Sequence, residues 1–67
     1  MPKKSFKIDN NIYDVEIIKQ AIKDFKDVFE ASFNGDLLEI EAENEIEIEE
    51  FFGEFMNYVL GLQNENL

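Results

Sequence analysis

Asn34-Gly35 sits between two runs of alternating apolar residues, and this constrains the fold more than any other feature of the chain. Both residues tolerate positive φ, so the pair reads as a two-residue hairpin turn. Upstream, Val28 to Phe33 places Phe29, Ala31 and Phe33 on one parity. Downstream, Leu37 to Glu43 places Leu38, Ile40 and Ala42 on the other. An Asn34-Gly35 loop pairs Phe33 with Asp36, Ala31 with Leu38 and Phe29 with Ile40. Both apolar sets then fall on one face, as a half-buried hairpin requires. The opposite face carries Val28, Glu30, Ser32, Leu37, Glu39 and Glu41, and this register sets Glu30 against Glu39. Like charges facing each other across a ladder are unfavourable.

Helical periods flank the hairpin. Ile18, Ala21, Ile22 and Phe25 recur at i, i+3, i+4 and i+7, with Tyr13 or Ile17 extending the stripe. Asp14 is the expected N-cap, and the first helix is predicted over 14–26. Lys19, Lys23 and Lys26 point away from the stripe. Near the end, Ile48, Phe51, Phe52, Phe55, Met56, Val59 and Leu60 keep a 3.6-residue period. Asn44 and Glu47 have capping-box spacing, and Gly61 offers a C-terminal cap, so the second helix is predicted over 45–60. Gly53 falls inside it, either as a neutral surface position or where another backbone approaches closely. Ser5 to Asp9 alternates like a strand and ends at the turn-forming Asn10-Asn11.

The order is β-α-β-β-α. We expect an α+β fold in one domain over residues 1–67, with both helices on one face of a three-stranded sheet. Residues 1–4 and 63–67 are expected to be flexible tails. The strand order is not readable from the pattern.

Composition narrows the chemistry. The 67 residues include no histidine, no cysteine and no arginine. Nucleophilic triads and nitrogen or sulfur zinc sites therefore lack their parts. Ser5 and Ser32 have no neighbour to activate them, and the many carboxylates sit on predicted outer faces. Asp9-Asn10-Asn11 starts like a calcium loop, but Asp14 and Gln20 stand where that loop needs Gly and Glu. A hard-cation site on Glu39, Glu41 and Glu43 is the remaining metal alternative, and a weak one. We expect no catalytic residue, no cofactor, no metal site and no enzyme activity.

The charge is polarised. Residues 1–26 hold every lysine and a net +2, whereas residues 27–67 hold twelve acids and no base. Such a surface repels phosphates, so direct nucleic-acid binding is not expected. No apolar run has the length of a membrane span, and no apolar segment follows Lys3-Lys4 as a secretory signal would need. The expected setting is the cytoplasm, without membrane contact. The expected partner is a protein or peptide of basic character, and a homodimer would also help so small a core.

Two segments carry a family resemblance. Tyr13, Glu16, Ala21 and Phe25 in the first helix region, and Phe55-Met56-Asn57 in the second, resemble the HxsD-like family over about residues 5–63. These are small accessory proteins of the His-Xaa-Ser peptide system, whose neighbours include radical-SAM proteins. The family has an aromatic where Lys23 stands, and a Leu-Arg segment where this chain has Leu62-Gln63. The resemblance implies an accessory role in maturing a ribosomally made peptide, through protein contacts. The candidate partner-binding residues are Glu30, Glu39, Glu41 and Glu43 for electrostatic steering, with Tyr13, Asn57 and Tyr58 as contacts. The alternatives are an acidic decoy for a basic nucleic-acid-binding protein and a self-associating scaffold joined through the second helix.

Overall fold

The computed structural model describes residues 2–65. The elements run β1 (Lys3–Lys7), α1 (Val15–Phe25), β2 (Glu30–Asn34), β3 (Leu37–Glu41) and α2 (Glu45–Glu65). The β-α-β-β-α order and the α+β class are those expected from the pattern. The sheet order is β1-β3-β2, and β3 runs antiparallel to both neighbours. It follows that β1 and β2 are parallel to each other and separated by β3. The central position suits β3, because Leu38 and Ile40 are fully buried.

Both helices cover one face. Ile18 and Ala21 of α1, Ile48, Phe55 and Val59 of α2, and Leu38 and Ile40 of β3 form the core, together with Ile8, Phe29 and Ala42. Aromatic rings join the layers. Phe6 stacks on Phe52 at 3.9 Å between centroids, and Phe29 stacks on Phe51 at 4.8 Å. Among the described residues no polar or charged side chain is buried. The stripe predicted for the second helix is the packed one except at its end, since Leu60 is exposed and Leu62 packs against the core instead.

The hairpin register differs from the predicted one by two residues. Phe33 faces Leu38, Ala31 faces Ile40 and Asn34 faces Leu37. The loop is therefore Gly35-Asp36, and Asn34 belongs to the strand. A shift of two leaves every side chain on its face, so the apolar pattern could not distinguish the two registers. The backbone does. Gly35 has φ +66°, and no non-glycine residue among those described has positive φ. A positive φ at the first loop residue alone is the II′ pattern, which asks for Gly there. Gly35→Ala is expected to destabilise the fold by about 1–2 kcal/mol, the cost of a left-handed residue with a Cβ. A urea titration reads it directly. An unchanged midpoint would contradict this turn.

Several element boundaries also move, and β1 and β3 end at Lys7 and Glu41, short of the predicted Asp9 and Glu43. The chain enters the sheet at Lys3, which faces Glu41, and Pro2 C=O accepts from Ala42 N–H at 3.2 Å. Residues 2–4 are thus not a tail. Lys4 points to the helix-covered side, where its Nζ lies 3.1 Å from Glu49 Oε1. Phe29 precedes β2 rather than pairing within it, because its N–H and that of Val28 donate to Phe25 C=O.

The end of α2 moves as well, since the helix continues past Gly61 to Glu65. Tertiary contacts hold the extra turn. Asp14 N–H donates to Gln63 Oε1 at 2.9 Å, and Gln63 Nε2 donates to Ile12 C=O at 3.3 Å. Of the segment 63–67 expected as a tail, 63–65 are helical, and 66–67 lie outside the described residues. The N-terminal caps are those expected. Glu16 N–H donates to Asp14 Oδ1 at 2.9 Å, and Glu47 N–H donates to Asn44 Oδ1 at 2.8 Å.

Candidate functional site

Strand alternation sends Lys3, Ser5 and Lys7 of β1, Leu37, Glu39 and Glu41 of β3, and Glu30, Ser32 and Asn34 of β2 to the face without helices. The registers stack them in rows. Lys3, Glu41 and Glu30 form one row, and Ser5, Glu39 and Ser32 the next. Glu30 therefore faces Glu41, and not Glu39 as the sequence register had it.

Charge is graded across this face. On the β1 side, Lys3 Nζ lies 3.9 Å from Glu39 Oε1, and Lys7 Nζ lies 3.9 Å from Asp36 Oδ2. These are exposed pairs at long distance, worth less than about 1 kcal/mol each. On the β2 side, Glu30 and Glu41 stand together. Glu30 holds its proton above the ordinary carboxyl value of 4.5. The first cause is a hydrogen bond shared with Glu41, then the charge of Glu41, then burial, with Lys3 acting in the opposite direction.

This shift has a consequence for stability. Folding raises the proton affinity of Glu30, so the folded chain binds more protons than the unfolded one above the ordinary value. Stability therefore falls as pH rises through 4.5 and on through the raised folded value. Glu30→Gln is expected to melt higher than the parent at neutral pH and to flatten that part of the profile. Thermal melts from acid to neutral pH check it. An identical profile would mean that Glu30 and Glu41 do not interact.

A cleft of about 360 Å³ reaches from the edge of β2 and α1 across the open face to Glu39 and Glu41 of β3 and Lys3 of β1. Its walls include Ile22, Phe29 and Ala31 as well as Glu30, Glu39 and Glu41. Lys3 and Lys26 reach it too. Sequence reasoning missed the contribution of Ile22, Phe29 and Lys26. Their approach to the β2 edge depends on how α1 lies against the sheet, and no local pattern encodes that.

The remaining predicted contacts lie elsewhere. Glu43 is exposed in the connection from β3 to α2, beyond the cleft. Tyr13 is half-buried ahead of α1, in a hollow shared with Ile12, Val15 and Gln63. Asn57 is exposed on α2. Tyr58 is exposed but engaged by α1. Its hydroxyl donates to Asp24 Oδ2 at 2.5 Å, and its ring meets Phe25 edge-on at 5.1 Å. The bond to Asp24 is the first reason that its phenol titrates above 10.0, followed by burial and by the charges of Asp24 and Glu65. Glu30, Glu39 and Glu41 thus come together on the open face, whereas Tyr13, Asn57 and Tyr58 belong to the helical layer.

Among the described residues no group of three or more acidic side chains, Glu39, Glu41 and Glu43 included, is gathered as a metal ion would need. No helix among them is long and apolar enough to cross a membrane. Comparison with protein-family models, with curated proteins and with solved structures gives no match for this chain.

Proposed function

We propose that this chain is a non-enzymatic accessory or adaptor protein of a peptide-modification system, acting in the cytoplasm by binding a protein or peptide. The observation that carries this reading is the uncovered sheet face on which Glu30, Glu39 and Glu41 stand together. An acidic face of this kind steers a cationic partner and sets its orientation more than it adds affinity. The resemblance to the HxsD-like family supplies the setting, a radical-SAM-associated maturation system. The chain has neither histidine nor cysteine, and its serines, Ser5 and Ser32, lie on an exposed face. That composition favours binding over catalysis.

The test is an affinity pull-down of the tagged protein from its native extract at low and high salt, read by mass spectrometry. Recovery of a radical-SAM enzyme or of a short precursor peptide is the expected result. The second reading is an acidic decoy, favoured by the twelve acids and no base of residues 27–67. It predicts recovery of nucleic-acid-binding proteins that are lost at high salt. Recovery of the chain alone, with a dimer mass by light scattering, would point to the scaffold.

A further inference from the structure

β2 is an edge strand, and the hydrogen bonds at the two ends of β3 fix which of its backbone groups face outward. Ile8 N–H donates to Asp36 C=O at 2.7 Å, and Ala42 N–H donates to Pro2 C=O at 3.2 Å. Even-numbered residues of β3 therefore turn their backbone groups toward β1, and odd-numbered ones toward β2. Leu37, Glu39 and Glu41 face Asn34, Ser32 and Glu30, so these three β2 residues bond to β3. Ala31 and Phe33 direct their N–H and C=O groups away from the sheet.

The two edges of the sheet are unlike. Lys3, Lys4 and Lys7 stand on β1, and lysine on an edge strand discourages further pairing. β2 carries no lysine. The cleft that reaches this edge has two kinds of wall. Ile22, Phe29 and Ala31 form the apolar one, on the side of the helices, and Glu30, Glu39 and Glu41 the acidic one, on the open face. Lys3 approaches Glu39, and Lys26 adds a second ammonium group at the cleft. Among the described residues, Glu30 and Glu41 are a pair of like charges with no lysine within ion-pair distance. An extended chain laid along this edge would send alternate side chains to the two walls.

The geometry points to the outer edge of β2 as the binding site for an extended peptide of alternating basic and apolar residues, added to the sheet as a fourth strand. This rests on the peptide-binding reading above and names its mode and ligand chemistry. The backbone of Ala31 and Phe33 supplies the hydrogen bonds, as in other strand additions. Basic side chains lie toward Glu30 and Glu41, and apolar ones toward Ile22 and Phe29. A second copy of the chain suits the edge less well, because each copy brings a net charge of -10.

The test is amide hydrogen exchange by NMR with a synthetic peptide of alternating Lys and Val, against one of alternating Glu and Val. The Lys peptide is expected to slow exchange at Ala31 and Phe33 at least about tenfold, and the Glu peptide to leave them unchanged. Ala31→Pro removes an outward N–H at an edge where proline is tolerated, and is expected to weaken binding roughly tenfold. Glu30→Lys keeps the edge backbone and is expected to weaken binding by a similar factor, which guards against a folding defect in the proline variant.

Binding of the Lys peptide without protection at Ala31 and Phe33 would overturn the edge mode and leave peptide binding standing. Absence of binding would overturn the inference, while the pull-down still judges the accessory role separately. Protection that grows with protein concentration alone, with a dimer mass, would assign the edge to a second copy and overturn the peptide.

Discussion

Phe55→Ala is expected to unfold most of the population or bring the chain to the limit of its stability. Phe55 is fully buried, and its ring meets those of Phe25 at 6.1 Å and Phe29 at 6.3 Å. It thus joins α2 to α1 and to the residue that leads into β2. Truncating a buried Phe costs about 3–5 kcal/mol, from lost transfer energy and from the cavity left behind. A chain of this length has roughly 3–10 kcal/mol in total. Urea titration followed by far-UV circular dichroism reads the loss. Asn57→Ala, at an exposed position of the same helix, is the control and is expected to stay within about 0.5 kcal/mol of the parent. A parental midpoint for Phe55→Ala would mean that α2 does not pack through this face.

The double variant Gly53→Ala/Gly61→Ala is expected to raise stability by about 2 kcal/mol. Both glycines lie inside α2, and a Cβ built at either meets nothing within 4 Å. Gly in an exposed helix interior is about 1 kcal/mol less favourable than Ala, because more backbone freedom is lost on folding. For a domain of this size the gain corresponds to a rise in melting temperature of about 8–16 °C. The experiment also separates two roles for Gly61. As a C-terminal cap in the left-handed region it would resist substitution, and Gly61→Ala alone would destabilise. As an interior helical residue it gains. For Gly53, the open space removes the need for close backbone approach within the chain.

The candidate site was partly legible before the structure. The parity of Glu30, Glu39 and Glu41 followed from the alternation of Ala31, Phe33, Leu38 and Ile40, and that parity is observed. The partner of Glu30 was not legible, because parity survives a shift of two while the facing residue changes. Tyr58 was expected as an outward contact, since a hydroxyl wants a polar partner. It is exposed, and its hydroxyl finds a partner within the chain, in Asp24 on the neighbouring helix. Lys4 looked like part of a tail, yet it pairs across the sheet with Ile40 and reaches Glu49 of α2. In each case the deciding contact lies more than thirty residues away or depends on register, and neither is written in a local window.

The sequence by itself determined the order of the elements, the buried face of each and the N-terminal caps at Asp14 and Asn44. These follow from periods of 2 and 3.6 residues and from side chains that bond to backbone two or three residues away. The tertiary structure alone decided the strand order, the hairpin register, the entry of Lys3 into the sheet and the last turn of α2. Those depend on which strands compete for the centre, on the φ of Gly35 and on the reach of Gln63 to Asp14 and Ile12. A periodic pattern specifies what a residue faces away from. Only the assembled chain specifies what it faces.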